Sequence, residues 1–586
     1  MEKLKPMLFS NMKTYTKSQF VKDLVAGVIV AIIALPLSIA LAIASGVQPI
    51  AGIYTAIVAG FVISFLGGSR VQIAGPTAAF ATIVAGIVAA NGGLEGGGMN
   101  ALIVATIMAG IILVIMGFCK FGSLIKFIPY TITTGFTAGI AVTILVGQLK
   151  DFMGVSTAAY EGETIETVDK LKALFSCFDT FNYMALIVGV VSLLILIVWP
   201  HINKTIPGSL VAVIIAAISV YFLNAKVDEG LHVNTIGDLY TITRDLPKFS
   251  LPTANFEMIK NLLPDAFTIA ILAAIESLLS AVVADGMIGS RHRSNMELIA
   301  QGTGNVASGL FGGIPATGAI ARTAANIKNG GRTPVAGMVH AVCLALVLVA
   351  LMPYAAMIPM PTIAAILFMV AYNMSGWRAV IDTLKHAPKS DILVLVTTFI
   401  LTVVFDLVVA IVVGIVLAAM LFMKRMADVT DMKEWQYIDD YSKINDENEN
   451  YDEDEDKDNI SLKSVPRHTL VFEITGPLFF GASDKLNQIV RDTDADIVIL
   501  RMRSVPAMDA TAMHTLNGVY DICKKNDIKL IFSHVNAQPM SVMKKDRFIE
   551  KVGVKMFCNN IDEALLLAEQ MEKEFHKDRK EKKANV

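Results

Sequence analysis

The chain is dominated by apolar segments that are long enough, or almost long enough, to cross a lipid bilayer. A helix needs ~20 apolar residues to span the hydrocarbon layer. Segments near this length lie at about 23–45, 49–67, 71–90, 100–118, 124–149, 183–200, 206–223, 262–284, 296–311, 315–328, 333–352, 354–374, 390–405 and 407–423. With 54% hydrophobic and only 17% charged residues, the composition is also that of a membrane protein. The sequence therefore predicts an all-α, multi-pass membrane domain of about 14 segments.

Basic residues predict the orientation of these segments. An even number of crossings places both termini on one side of the membrane. Lysines and arginines gather in the loops of that side, for example in RHR at 291–293 and at Lys424 and Arg425. Such residues are enriched in cytoplasmic loops. We therefore expect a cell-membrane protein, embedded in lipid, with both termini in the cytoplasm.

Two of the segments are interrupted by glycine and proline in matching ways. They contain VQIAGPTAAF and IPATGAIARTAAN, and the stretches FLGG (65–68) and LFGG (310–313) precede them. Each pattern predicts a short extended piece followed by a half-helix, the second of which begins near Ala321. Each segment is the third of its half of seven. Such paired interruptions indicate a 7+7 inverted-repeat transporter with its binding site near the middle of the membrane.

The composition changes abruptly after residue 426. Residues 427–464 are strongly acidic and are predicted to form a solvated linker. Strand-like and helix-like stretches then alternate, as in α/β domains: TLVFEITG, ADIVILRM, TAMHTLNGVYDICKKN, KLIFSHV and IDEALLLAEQMEKEF. We predict a membrane domain over residues 1–426, a linker over 427–464, an α/β domain over 465–572 and a charged tail over 573–586.

Several motifs resemble one known family. They are ALPLSIALAIASGV, VQIAGPTAAF, IESLLSAVVADG and the stretch from RSNMELIAQ to GAIARTAANI. These resemble signatures of the SulP family of anion transporters, and the C-terminal region resembles a STAS domain, which is related to bacterial anti-sigma-factor antagonists. The resemblance implies core and gate subdomains within the repeat and assembly as a homodimer. It also implies a cytoplasmic STAS domain that could bind a protein partner.

Arg322 is a charged residue in a segment expected at membrane depth. A half-helix start beside it would present backbone N–H groups, which favour anions. The other half-helix would open opposite, so that two positive helix ends converge on one pocket lined by small residues. We predict an anion-binding site that comprises Arg322, Ala321, Thr323, Thr77, Ala78 and Ala79, with Gly75 and Gly318 allowing close backbone approach.

Other roles remain open for these residues. Arg322 could extend to the membrane interface or only pair with a neighbour. Thr77 and Thr323 could hydrogen-bond to their own helices, as membrane threonines often do. Intramembrane ionisable residues are functional by default, and this favours the binding site.

Glu276 is a second charge, in the middle of the eighth segment. A carboxylate in hydrocarbon must be paired or take up a proton, so Glu276 suits the coupling of proton entry to anion movement. Ser280 follows one turn later on the same helical face, and we predict that it belongs with Glu276 to the coupling-ion site. Alternatively, Glu276 forms a permanent ion pair with Arg322. Relatives that resemble sodium-dependent bicarbonate transporters carry aspartate and threonine at the two positions and no matching arginine, so the departure favours a proton over sodium.

Leu37 and Ser38 in the first segment are further candidates for the pocket wall. They follow Pro36, and a proline can interrupt a helix and free backbone groups near a site. Leu41, one turn further on, equally suits ordinary helix packing.

The STAS region contains a candidate regulatory residue. VPAMDATAMHTL resembles the antagonist loop in which a residue after an aspartate is phosphorylated, and Thr511 occupies the acceptor position. Ala510 and Ala512 depart from the usual flanking residues. The alternative is that Asp509 simply caps the following helix.

These features predict a secondary active transporter that imports a small anion by proton-coupled symport and alternating access. An arginine suits sulfate or a C4-dicarboxylate, while sodium-coupled bicarbonate symport and anion exchange are alternatives. A membrane-anchored signalling or scaffold protein is the alternative from another class. No enzyme is predicted, since no catalytic nucleophile stands in a recognisable arrangement. Scattered cysteines and histidines predict no metal site or cofactor, and the charge pattern predicts no nucleic-acid partner.

Overall fold

The structure, a computed structural model, consists of two compact units, Met1–Val416 and Leu417–Val586. Each unit is considered by itself. The structure describes residues 4–94, 96–123, 129–157, 159–160, 167–203, 206–226, 231–405, 407–435, 465–482, 486 and 495–584. Most of the predicted linker thus lies outside the described residues.

Helices occupy all of the predicted apolar segments. The first half contains α1 Met7–Asn11, α2 Lys17–Ala44, α3 Pro49–Leu66, α4 Ala81–Ala90, α5 Gly98–Phe118, α6 Tyr130–Met153, α7 Thr167–Ser176, α8 Tyr183–Ile202, α9 Gly208–Asn224 and α10 Ile236–Leu239. The second half contains α11 Phe256–Ile288, α12 Ser294–Leu310, α13 Ile320–Lys328, α14 Val335–Ala355, α15 Met360–Ser375, α16 Trp377–His386, α17 Lys389–Val404 and α18 Leu407–Val429. The prediction of a multi-pass helical domain is confirmed, while the number of crossings and the inverted repeat stay predictions.

Many of these helices suit a lipid environment. Within the described part of the chain, nine helices are long and apolar enough to cross a membrane. Only 22% of the most apolar window of α8 is buried inside the protein, although its mean hydropathy is 2.5. An apolar helix that turns most of its surface outward is stable in hydrocarbon but not in water.

Two short strands mark the predicted interruptions. Strand β1, Ala74–Gly75, lies before α4, and strand β2, Thr317–Gly318, lies before α13. A single 3-10 turn, Ala78–Phe80, connects β1 to α4. The extended pieces are therefore confirmed, although only two residues of each pair as strand. The second half-helix begins at Ile320, one residue before the predicted start.

A buried carboxylate near the start of α2 was not singled out from the sequence. Asp23 is 0% exposed and accepts hydrogen bonds from Tyr15 Oη, Gln19 Nε2, the backbone N–H of Arg332 and Thr333 Oγ1. Burial and the Asp23 carboxylate raise the pKa of Tyr15 to about 12, so the phenol stays protonated and can donate at neutral pH. Asp23 thus holds the N-terminal segment to the loop before α14.

Replacing Asp23 is expected to destabilise the membrane domain. In Asp23→Ala, four donors lose their common acceptor, and each buried unsatisfied donor costs ~1–3 kcal/mol. Because water can reach some of them, we expect the free energy of unfolding to fall by about 3 kcal/mol. The thermal unfolding midpoint in detergent measures this. Asp23→Asn keeps one acceptor oxygen, so its midpoint should lie between those of the native protein and Asp23→Ala. Equal midpoints for Asp23→Ala and the native protein would contradict the role assigned to Asp23.

The second unit contains a five-stranded sheet. The strands are β3 Asp431–Trp435, β4 Thr469–Thr475, β5 Ile497–Ser504, β6 Lys529–Ser533 and β7 Phe557–Cys558, and the helices are α19 Ala510–Lys525, α20 Ala537–Lys545, α21 Phe548–Val552 and α22 Ile561–Ala584. The strand order is β3-β4-β5-β6-β7, in which β3 is antiparallel to β4 and the other pairs are parallel. The central strand β5 is buried along most of its length, with α19 and α22 contributing to separate apolar clusters. The predicted α/β domain is confirmed.

Strand β3 corrects the predicted linker. Residues 431–435 lie within the stretch 427–464, which its acidic composition assigns to a solvated linker, yet they pair with β4 over five residues. Edge strands tolerate charged side chains because only one side of the strand is paired. Charge content therefore does not distinguish this strand from a linker.

Candidate anion-binding site

The two interrupted segments meet as an antiparallel pair. Ala74 lies opposite Gly318 and Gly75 opposite Thr317. The pairing is extended by a hydrogen bond from the Ala319 N–H to the Ile73 carbonyl oxygen, at 2.9 Å. The two half-helices therefore start from one crossing point, as the sequence predicts.

Buried polar side chains hold the chain before each half-helix. Glu297, 0% exposed, accepts hydrogen bonds from the backbone N–H groups of Gly68 and Ser69 in the turn that leads to β1. On the other side, Asn305 bonds both the N–H and the carbonyl oxygen of Ala316. Backbone groups of these irregular segments cannot be left unpaired in hydrocarbon, so the side chains fix their conformation.

Helix α11 fixes β2 in the same way. Ser277 Oγ accepts from the Gly318 N–H at 3.2 Å and lies 2.6 Å from Thr317 Oγ1. Both serine and threonine are fully buried. Sequence reasoning did not identify Ser277, although it lies next to Glu276 on the same helix.

Arg322 is 1% exposed and is the largest fully buried side chain among the described residues. Its Nη2 donates a hydrogen bond to the Pro76 carbonyl oxygen at 3.2 Å and a longer one to Ser38 Oγ at 3.4 Å. Its Nε and Nη1 donate to no atom of the residues that the structure describes. The guanidinium thus reaches from one half-helix to the chain before the other and retains donors for a ligand.

Gly75 makes this position of the guanidinium possible. A β-carbon at Gly75 would lie 2.4 Å from Arg322 Nη1 and 3.6 Å from its Cζ. Gly318 plays a similar part for Gln72, whose Nε2 would lie 1.7 Å from a β-carbon there. Both glycines therefore allow close approach, but to side chains of the protein itself.

Glu276 does not pair with Arg322. Its Oε2 accepts a hydrogen bond from Thr77 Oγ1 at 2.9 Å, and no ion pair joins Glu276 to Arg322, both of which are described. The alternative of a permanent ion pair is therefore wrong for this conformation. The hydrogen bond instead ties the start of the first half-helix to the middle of α11.

Ser280 of α11 hydrogen-bonds to Thr323 of α13 and not to Glu276. Thr323 Oγ1 accepts from the Ile73 N–H at 3.1 Å and from Ser280 Oγ at 3.5 Å. Neither Thr77 nor Thr323 uses its hydroxyl on its own helix, contrary to that alternative. Thr323 and Ser280 thus position the segment that precedes β1.

The remaining candidates differ in exposure. Leu37, Thr77 and Glu276 are half-buried, and Ala321 is exposed at the opening turn of α13. Ser38, Ala78 and Ala79 are buried. Leu41 is 2% exposed within the main apolar cluster, so packing accounts for it. The structure therefore brings the half-helix starts, Arg322 and Ser38 together, with Glu276 joined through Thr77.

Two further buried polar side chains lie near the crossing point. His340 on α14 is 0% exposed, and neither ring nitrogen has a hydrogen-bond partner among the described residues. Gln72, one residue before Ile73, is 5% exposed, and its two amide atoms are likewise without partners in that part of the chain. Each is an isolated polar residue in an apolar run, which is the sequence signal that could have identified them.

The C-terminal unit places Thr511 on the surface. Thr511 is exposed in the first turn of α19. Asp509 caps this helix, since its Oδ1 accepts from the Ala512 N–H at 2.7 Å. The capping interpretation is confirmed, and modification of Thr511 stays a prediction.

The architecture has clear counterparts among known proteins. A model of the sulfate permease family matches residues 20–398, and a model of the STAS domain matches residues 459–564. The putative sulfate transporter YvdB of Bacillus subtilis is 38% identical over 560 residues, which are 94% of this chain and 98% of that protein. The bicarbonate transporter BicA of Picosynechococcus sp. is 29% identical over 561 residues, which are 93% of this chain and 94% of BicA.

A solved structure has the same fold. The murine anion transporter Slc26a9, in its inward-facing state, matches with a TM-score of 0.83 at 19% identity, over 97% of this chain and 94% of that one. These relatives are transporters rather than enzymes. The extent of the family match and the identity to YvdB establish that the chain belongs to the sulfate permease (SulP) family of multi-pass membrane anion transporters and carries a STAS domain.

Proposed function

We propose that the protein imports a small oxyanion or dicarboxylate together with a proton. The observation that carries this proposal is the buried guanidinium of Arg322, whose Nε and Nη1 have no acceptor among the described residues where two half-helices begin. A buried charge is costly unless it is compensated. An anion would supply both the missing charge and the missing acceptors.

The chemistry of the free donors favours a ligand with several oxygen atoms. The N–H groups of Nε and Nη1 lie on different sides of the guanidinium and therefore suit separate oxygen atoms of an oxyanion, and charge-assisted hydrogen bonds of this kind are strong. N–H groups at the helix starts add positive potential. Sulfate and C4-dicarboxylates therefore lead as substrates. The name of YvdB agrees with sulfate, whereas that of BicA makes bicarbonate the second candidate.

The bond from Thr77 to Glu276 supplies a route for coupling. An ionised Glu276 near the half-helix start disfavours a second negative charge in the pocket. Uptake of a proton by Glu276 removes that repulsion and releases the Thr77 hydroxyl as a donor for the anion. Because coupling between two sites is reciprocal, a bound anion also favours the proton. Sodium is the alternative coupling ion.

Burial of Arg322 implies movement. At 1% exposure, the guanidinium cannot meet an anion from water unless the surrounding elements separate. We infer alternating access, in which a core subdomain with the half-helices moves past a gate subdomain. The proposal also includes cytoplasmic termini and assembly as a homodimer. We further propose that the STAS domain binds a protein partner or is modified at Thr511.

Uptake into proteoliposomes tests the proposed coupling. An inward proton gradient should drive labelled sulfate or succinate into vesicles that contain the native protein. Glu276→Gln is a neutral mimic of the protonated side chain. Its uptake without a gradient, by anion exchange, should persist, but the stimulation of uptake by the proton gradient should be at least ~10-fold smaller than in the native protein. Initial rates with and without the gradient measure this, and a sodium gradient serves as the parallel condition.

Two results would contradict the coupling. Gradient-driven uptake by Glu276→Gln at the native rate would remove Glu276 from the proton route. No movement of sulfate, succinate or bicarbonate by the native protein would favour the scaffold alternative, in which the STAS domain is the output. Ser280→Ala is the matched variant, because Ser280 bonds to Thr323 instead of Glu276 and should retain the gradient response.

A further inference from the structure

A second cluster of positive charge, separate from the Arg322 site, lies at the C-terminal end of α6. A cavity there is lined by residues from the last turns of α6, the loop after it and α7: Val146, Gly147, Lys150, Thr157, Lys170, Ala173 and Leu174. Its lining thus combines two amines, one hydroxyl and apolar groups, and includes no carboxylate. In the predicted orientation this end of the fifth segment faces away from the cytoplasm.

The two lysines share the same face of the cavity. The Nζ and Cδ of Lys170 each lie 4.0 Å from the position that a β-carbon would take at Gly147. Lys150 follows Gly147 by three residues, which places it next on the same face of α6. Neither amine has a hydrogen bond or an ion pair among the residues that the structure describes. A β-carbon at Gly147 would thus make only ordinary van der Waals contact with Lys170.

The electrostatic surroundings of Lys170 are unfavourable for a cation. Burial, and then the charge of Lys150, lower the pKa of the Lys170 amine from its usual value. Lys170 also lies in the first turn of α7, where the helix end is positive. A cation is normally placed at the opposite end of a helix. Lys150 and the positive end of α7 therefore both repel the charge of Lys170, and no described residue compensates this repulsion.

Nearby carboxylates have other partners or directions. Asp169 pairs with Lys172 at 2.9 Å on the exposed side of α7. Asp151 interacts electrostatically with Lys150, its neighbour in the chain, but it does not line the cavity. Burial and the charge of Asp151 raise the pKa of Tyr240 to about 12. Among the described residues, no carboxylate is thus bonded to the Lys170 amine inside the cavity.

We propose that this cavity binds a tetrahedral oxyanion, with the amines of Lys150 and Lys170 and the hydroxyl of Thr157 as donors. Sulfate and a phosphate group share this chemistry. The neighbouring surface is apolar, since Leu145, Val168 and Phe175 are 43%, 42% and 72% exposed. Such a surface suits the edge of the bilayer, so the oxyanion is either a free ion or the phosphate of a lipid headgroup. The site does not depend on the transport function proposed for Arg322.

The test uses the full-length protein in detergent, with its lysines reductively methylated with carbon-13 and followed by NMR. Methylation retains the positive charge. Lys150→Gln and Lys170→Gln each remove one signal and thereby assign it. Sodium sulfate should shift both signals saturably, whereas sodium chloride at equal ionic strength should not. Lys150→Gln should weaken the affinity measured at Lys170 at least ~10-fold, which corresponds to the loss of one charge-assisted hydrogen bond.

Matched variants separate this site from others. Lys172→Gln removes a lysine of the same helix that already pairs with Asp169, and it should leave the sulfate affinity unchanged. Arg322→Ala should also keep the shifts, so that loss of transport and loss of this site are distinguishable. The proposal is overturned if neither sulfate nor phosphatidylglycerol shifts the two signals, or if Lys150→Gln and Lys172→Gln bind sulfate equally.

Lipid nanodiscs distinguish the two sources of the oxyanion. With phosphatidylcholine alone, sulfate should still shift both signals if the occupant is a free ion. With added phosphatidylglycerol, a shift that sulfate no longer changes would identify a lipid headgroup as the occupant. Either result supports an oxyanion site, whereas signals that respond to neither sulfate nor phosphatidylglycerol would overturn it.

Discussion

Arg322→Ala is expected to lower counterflow of labelled sulfate or succinate in proteoliposomes at least ~100-fold. The side chain offers two nitrogens, Nε and Nη1, that donate to no described protein atom. Hydrogen bonds from a charged donor contribute ~1.5–3 kcal/mol each, so the loss of both removes at least about 3 kcal/mol of anion binding. Initial rates of exchange, measured with sulfate, succinate and bicarbonate, would also identify the preferred substrate.

Arg322→Lys is the matched control for this effect. It keeps the charge but replaces a planar fork by a point charge, and it should bind anions more weakly than arginine and more strongly than alanine. Folding is expected to persist in both variants, because no carboxylate loses an ion-pair partner when Arg322 is removed. Gel filtration and thermal unfolding without substrate would verify this. Native exchange rates in a folded Arg322→Ala protein would refute the site.

Gly75→Ala is expected to impair transport with little effect on stability. The new β-carbon would lie 2.4 Å from Arg322 Nη1, a distance that no pair of non-bonded atoms tolerates. The obstructing atom is at the end of a long side chain, so the guanidinium should move aside and the fold should remain. Displacing a positioned binding group by about 1 Å can cost ~100-fold. We therefore expect a ~10-fold to ~100-fold rise in the KM for the anion.

Gly86→Ala provides the matched control in the same segment. Gly86 lies within α4, and a β-carbon there would meet no atom within 4 Å. Alanine is preferred over glycine inside a helix by ~1 kcal/mol, so this variant should transport normally and unfold at an equal or higher temperature. If the KM of Gly75→Ala equals that of Gly86→Ala, the position of the guanidinium beside Gly75 does not matter for binding.

The order of elements could be predicted closely because it depends on local properties. Segment length and hydropathy place the spanning helices, and glycine and proline mark where extended chain precedes α4 and α13. Charge in an apolar run also identifies Arg322 and Glu276 directly from sequence. The prediction that residues 431–435 belong to a linker was wrong because it relied on local composition alone. Strand β3 forms there through its pairing with β4.

The partners of the site residues could not be predicted. Thr77 bonds to Glu276 across 199 residues of sequence, and Arg322 bonds to Pro76 across 246. Opposite charge favours an ion pair between Arg322 and Glu276, but packing directs the two side chains to different neighbours. His340 and Gln72 become noteworthy only once their burial and missing partners are visible.

The sequence by itself determined the membrane domain, the interrupted segments, the α/β domain and the two intramembrane charges, because hydrophobicity and backbone preference act over a few residues. The tertiary structure alone decided that two donors of Arg322 have no acceptor among the residues that the structure describes, that Glu276 is held by Thr77, and that Lys150 and Lys170 share one cavity. These relations are distances of a few ångströms between side chains from different helices. Only the packing of those helices sets them.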